Sequence, residues 1–167
     1  SDHRYRQQAV VGLEGALDDA VMTEAVRSLA RAHDALRTVY LQRNLSSPAQ
    51  VVVASLAPSV DVADDTGQGL DAILEAELAR GFELSARPPI RILLVHQTAD
   101  RHALALTFHH IALDGWSLSQ LLGELFSTYA TLASGGRLPD PRPDAYGAYL
   151  RWLDSAPKDA DLWRKLL

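Results

Sequence analysis

The chain has 167 residues, 47% of them hydrophobic and 22% charged, which is long and apolar enough to bury a core and argues against disorder. Sixteen Lys and Arg against 21 Asp and Glu leave a net charge of −5 with no basic run, which disfavours a nucleic-acid binder. Zero cysteines exclude a disulfide framework, a thiolate zinc site and a cysteine nucleophile; no apolar run reaches the roughly 20 residues of a membrane helix, and Ser1-Asp2-His3-Arg4 is no signal peptide.

The expectation is therefore a soluble, cytoplasmic α/β or α+β module, one domain or one lobe of a larger one. Arg4 to Gly12, with Ala9, Val10 and Val11 at its centre, reads as a first strand. Asp18 or Asp19 caps a helix in which Val21, Ala25, Leu29 and Ala32 share a stripe widened by Met22 and Val26. Leu36 to Leu41 and Gln50 to Ala54 read as two strands of a hairpin across Asn44-Leu45-Ser46-Ser47-Pro48. After Asp65-Thr66-Gly67, Leu70, Ile73, Leu74 and Leu78 mark a second helix ended by Arg80 and Gly81.

Pro88-Pro89 introduces the most apolar segment. Ile90, Ile92 and Leu94 alternate with Leu93 and Val95, and Ala103 to His109 returns in the same style, so both strands are predicted to be internal. Ser117 and Gln120 form a capping-box pattern for a helix with Leu118, Leu121, Leu122, Leu125, Phe126 and Tyr129 on its stripe. Gly135-Gly136 ends it. A proline-rich connector, Leu138 to Pro143, precedes a helix marked by Tyr146, Tyr149, Leu150 and Leu153; Leu162, Trp163 and Leu166 suggest another.

Reactive side chains concentrate in His109, His110 and Asp114, where an internal strand gives way to a helix. A neutral imidazole accepts a proton near physiological pH, and a helix N-terminus favours developing negative charge. Adjacent strand residues point to opposite faces, so one histidine is expected to be catalytic and the other to pack and hydrogen-bond. Two other readings of these residues stay open. One is a metal site, for which Ile111, Ala112, Leu113 and Trp116 supply no further ligand. The other is a packed pair of core histidines.

His109-His110-Ile111-Ala112-Leu113-Asp114-Gly115-Trp116-Ser117 resembles the signature of condensation domains of nonribosomal peptide synthetases, members of the chloramphenicol-acetyltransferase-like superfamily. Arg31-Ala32-His33-Asp34-Ala35-Leu36-Arg37-Thr38 is similar to an earlier motif of that family. Phe82-Glu83-Leu84-Ser85 with Pro88-Pro89-Ile90-Arg91 resembles the segment leading into the catalytic hairpin, and Tyr146, Tyr149 and Trp152 match most of a later one. Two departures stand out. The family's opening motif is missing, and Ala148 occupies the place of an aspartate.

The resemblance implies a mixed, largely antiparallel sheet flanked by helices, residues 1–167 being the N-terminal lobe with the C-terminal lobe absent. It implies amide bond formation between a donor acyl thioester and an acceptor aminoacyl thioester, both carried on the 4′-phosphopantetheine of peptidyl carrier proteins, with no cofactor bound by the lobe itself. By the same resemblance His110 is the active-site base or amine-positioning group and His109 is structural. Asp114 is implied to pair with Arg37 as a buried structural pair. Gly115 allows close backbone approach to the thioester, and Trp116 lines a substrate tunnel or packs against the sheet. Ser117 reads as a helix cap beside that tunnel. Amide-forming rather than cyclising or epimerising chemistry is favoured, because the histidines are intact and Trp116-Ser117-Leu118 follows Asp114-Gly115. The alternatives are an acyltransferase esterifying a soluble alcohol, or a non-catalytic docking lobe. A lone lobe is expected to be nearly inactive and, through its uncovered surface, to self-associate or take a partner chain that supplies the missing half.

Overall fold

The computed structural model describes residues 5–43, 45–140 and 145–156. The features expected at Arg4, Asn44, Pro141, Arg142, Pro143, Leu162, Trp163 and Leu166, and the side chain of Tyr146, lie outside the described residues. The elements run β1 (Arg6–Glu14), α1 (Asp19–Ala32), a 3-10 turn (Asp34–Arg37), β2 (Thr38–Leu41), β3 (Ala49–Val52), β4 (Ser59–Asp64), α2 (Leu70–Ala79), β5 (Ile90–His96), β6 (Arg101–His109), α3 (Gly115–Ala133) and α4 (Ala145–Ser155).

Four strands form the main sheet in the order β1-β6-β5-β4. The β1–β6 and β6–β5 pairs are antiparallel and β5–β4 is parallel, so the sheet is mixed and largely antiparallel, as expected. Strands β5 and β6 are internal, and side-chain parity explains why both read as apolar on two faces. Ile90, Ile92, Leu94, Leu104, Leu106 and Phe108 point to one side, where Met22, Ala25, Val26 and Leu29 of α1 and Leu121 and Leu125 of α3 close over them. Leu93, Val95, Ala103 and Ala105 point to the other and meet Ile73 of α2. Burying each of the large residues contributes about 1.5–3 kcal/mol, and this two-sided core holds the end of β6 rigid.

Three local expectations are corrected. Strand β4 was not foreseen, because Asp61 splits its two valines, Asp64 follows them, and it lies at the sheet edge, where Val62 stays exposed. Leu36 is buried in the 3-10 turn rather than in a strand; the hairpin begins only at Thr38, as a separate two-stranded sheet. The buried line of α1 runs through Met22, Ala25, Val26, Leu29 and Ala30, while Val21 and Ala32 are only half-buried.

Polar side chains fasten the helices to the sheet. Asp18 caps α1 by accepting from Ala20 N and Val21 N. Next to it Asp19 Oδ2 lies 3.0 Å from His96 Nε2, and the other nitrogen of His96 lies 2.7 Å from His102 Nδ1. At the opposite face, the last carbonyls of α2 are met by two arginines. Arg6 donates to Leu78 O, Ala79 O and Arg80 O. Arg91, only 8% exposed, donates to Glu77 O, Arg80 O and Gly81 O and bonds Glu77 Oε1 at 2.6 Å, with its guanidinium over the Phe82 ring. Carbonyls at a helix end have no partner within the helix, and a buried end must find one elsewhere.

Candidate active site

The end of β6 splits the two histidines as strand alternation requires. His109 closes the strand, is 6% exposed, and donates its backbone N–H to Pro89 O. Its Nδ1 accepts from Ile111 N at 3.0 Å, so that lone pair is committed to holding the turn. His110 donates its backbone N–H to Tyr5 O at 2.8 Å, meets Phe108 edge-on, and leaves its imidazole exposed. The turn is closed by Ala112 N on His109 O and anchored by buried Leu113.

His110 opens into a groove of about 610 Å³. One wall is the start of α3, with Ser117, Gln120 and Glu124. The facing wall combines His33 to Leu36 with Thr38 and Tyr40 of β2 and Gln50 and Val52 of β3, and Gly147 and Leu150 of α4 border it. Two side chains bridge the walls: His33 Nε2 lies 2.5 Å from Glu124 Oε2, and Tyr40 Oη donates to Ile111 O at 3.1 Å. An exposed imidazole at a rigid strand end, beside a helix N-terminus and a groove of this size, can exchange a proton with a molecule bound there.

The family model for the condensation domain matches residues 1–167. The chain belongs to the condensation-domain family. It is 31% identical over 166 residues to bacitracin synthase 3 of Bacillus licheniformis and 31% identical over 156 residues to surfactin synthase subunit 2 of Bacillus subtilis. Those alignments cover 95% and 89% of this chain but only 3% and 4% of the relatives, so it spans a small part of their length. The starter condensation domain of rhizomide synthetase RzmA superposes with a TM-score of 0.76 at 22% identity, over 92% of this chain and 38% of that one. SgcC5 from Streptomyces globisporus, solved with a naphthyl-ethanediol, gives 0.75 at 23% identity over 98% and 40%. At these identities the superpositions show the shared fold.

Other members of the condensation-domain signature sit differently from what the resemblance implied. Arg37 and Asp114 do not pair. Arg37 is bound by Asp34, three residues earlier on the 3-10 turn, and its Nε is buried without a partner among the described residues. Asp114 is exposed and is the N-cap of α3, its Oδ1 accepting from Ser117 N at 2.8 Å. An exposed carboxylate satisfied by backbone N–H groups needs no buried counter-ion, and an aspartate one turn away is the nearer partner for the arginine. Ser117 is therefore the residue being capped, not the cap. Trp116 is 80% exposed, neither packed on the sheet nor part of the groove lining. A Cβ on Gly115 would meet nothing within 4 Å, so no packing among the described residues demands a glycine there.

Gln120, Glu124, Tyr40 and Gln50 were not among the expected site residues. Gln120 and Glu124 were legible, since they follow Ser117 by three and seven residues and share its helix face. Tyr40 and Gln50 oppose each other across the hairpin, a pairing that depends on a register the sequence pattern did not resolve. Among the described residues no group of three or more His, Asp or Glu is placed to hold a metal ion.

The cap carries a pH prediction. The Ser117 N–H holds the Asp114 carboxyl below the usual carboxylate range. A group lowered in the native state stabilises above its unfolded value, roughly pH 4, and that stabilisation is lost as pH falls through the native value. Asp114→Asn keeps an acceptor for Ser117 N and is expected to unfold at nearly the parent temperature at neutral pH, with a shallower acid-side decline. Asp114→Ala is expected to melt lower at neutral pH. Thermal melts between about pH 2.5 and 7 decide it, and a parent-like acid decline in Asp114→Asn would remove Asp114 as the cause.

Proposed function

We propose that this chain is the N-terminal lobe of a condensation domain that joins a donor acyl group to an acceptor amine, both held as thioesters on the 4′-phosphopantetheine arms of peptidyl carrier proteins. The observation that carries the reading is the division of labour between the two histidines: His109 is buried with its Nδ1 bonded to the turn, while His110 is exposed in the groove. In the reaction the acceptor α-amine attacks the donor carbonyl carbon. A C–N bond forms, the C–S bond breaks, and the amine proton is passed on as the donor arm leaves as a thiol. His110 accepts that proton or orients the amine through a hydrogen bond. The N-terminus of α3, with the Gly115 amide in its first turn, favours the oxyanion that develops on the carbonyl. Holding two tethered substrates together supplies most of the rate, because a bimolecular encounter becomes effectively unimolecular.

The carrier proteins are the partners this chemistry requires, and the phosphopantetheine arms are part of the substrates. As part of the same reading the protein works in the cytoplasm; no helix among the described residues is long and apolar enough to cross a membrane. The groove is open to water at His110, Asp114 and Ser117, so a second lobe of the same domain is expected to supply its opposing wall. Orientation and water exclusion then depend on both lobes.

The test mixes donor-loaded and acceptor-loaded carrier proteins with the 167-residue chain and, separately, with the chain joined to the rest of the domain, and follows dipeptidyl product by mass spectrometry. Product is expected only with the complete domain. An ester formed on a free alcohol, with no amide on the carrier, would replace this reading by the related acyltransferase. Absence of product from the complete domain with every acceptor would leave a docking lobe.

A further inference from the structure

We infer that Tyr40 is a positioning residue for this reaction, fixing both the turn that carries His110 and the distance between that turn and the hairpin wall of the groove. The inference rests on the functional reading above. Among the described residues, strands β2 and β3 pair only with each other and stand apart from the main sheet. Their hold on the rest of the fold is therefore made by individual groups, and Tyr40 supplies two of them. Its backbone N–H donates to Leu84 O at 2.7 Å, in the segment before Pro88-Pro89, and Pro89 O in turn accepts from the backbone of His109. Its hydroxyl donates to Ile111 O at 3.1 Å, one residue beyond His110.

The second bond completes the fastening of the turn. Its amides are already engaged: His110 N on Tyr5 O, Ile111 N on the His109 ring, and Ala112 N on His109 O. The carbonyl of Ile111 is held by a side chain of the opposite wall. The peptide before His110 is thus held by Tyr5, next to β1, the one after it by the His109 ring, and the following one, between Ile111 and Ala112, is tied to β2 by Tyr40. Loss of the hydroxyl cuts the side-chain tie between the turn and β2 and lets the hairpin drift from His110, while the ring still packs where it was. Misplacement of a reacting group by about an ångström costs on the order of a hundredfold in rate even when binding is intact.

The experiment uses the complete domain with loaded carrier proteins and compares the parent, Tyr40→Phe and His110→Ala. The phenylalanine keeps ring and backbone, so its melting temperature is expected to stay close to the parent's. Its kcat is expected to fall about 5- to 30-fold with the KM for the acceptor carrier nearly unchanged, the mark of an interaction used at the transition state. A kcat for Tyr40→Phe within about twofold of the parent, while His110→Ala has lost activity, would overturn the positioning role. A fall in kcat matched by a large drop in melting temperature would also overturn it, as a merely structural effect. If His110→Ala itself kept parent activity, the functional reading would have failed rather than the inference about Tyr40.

Discussion

In the complete domain, His110→Ala is expected to lower turnover by at least about a hundredfold, the range a lost acid–base group costs. The side chain is exposed in the groove, and the ring it meets, Phe108, is held in the core by the sheet and both covering helices. Removing the imidazole should therefore leave the fold intact. The backbone bond from His110 N to Tyr5 O persists in the alanine variant, and the His109 ring still receives Ile111 N. A companion substitution separates the roles of the pair. His109→Ala should lower both melting temperature and activity, because it opens a cavity and orphans a turn amide. Turnover of His110→Ala within a few-fold of the parent, measured on the same loaded carriers, would remove it from the chemistry.

Arg91→Ala is expected to give the largest loss of stability. Arg91 and Glu77 are 8% and 4% exposed, and the arginine also satisfies three carbonyls around the end of α2. Its removal leaves Glu77 Oε1 buried without the guanidinium, and breaking a buried pair from one side costs about 3–5 kcal/mol. For a chain of this size that corresponds to a fall in melting temperature of roughly 10 °C. Arg80 still reaches Glu77 Oε2 at 2.7 Å, but from an exposed position that leaves the helix carbonyls untouched. Arg91→Lys should recover little, since a compact ammonium cannot span a carboxylate and several carbonyls as the planar fork does. Replacing both partners, Arg91→Met with Glu77→Leu, should cost less than Arg91→Ala alone, because no buried charge is stranded. Calorimetry on these variants gives the answer, and a melting temperature for Arg91→Ala within about 2 °C of the parent would refute the account.

The same cluster shows what a motif can and cannot say. Phe82 and Arg91 were singled out as part of a resemblance, with no physical role attached. The structure gives them one: Arg91 bridges Glu77 and the end of α2, and Phe82 covers its guanidinium. Nothing in the spacing of residues 77, 82 and 91 announces that arrangement. It requires the parallel crossover β4–α2–β5, and β4 was the strand that the pattern did not reveal.

Read by itself, the sequence determined whatever depends on neighbours along the chain. The alternation of Ile90 to Val95 and of Ala103 to His109 placed two internal strands and turned His109 and His110 to opposite sides. Asp18 capped α1 as foreseen, and Arg80 ended α2. Tertiary structure decided every matter in which one group chooses among distant partners. Asp114 could have met Arg37; it caps α3, and Arg37 turns to Asp34. The far wall of the groove, with Tyr40 and Gln50 opposite Glu124, comes from segments separated by many residues and brought together only by the tertiary fold. Periodicity encodes which face of an element is buried, because burial of a face repeats with the backbone's own geometry. It carries no record of which hydrogen-bond acceptor lies nearest a given donor, and that distance exists only once the chain has folded.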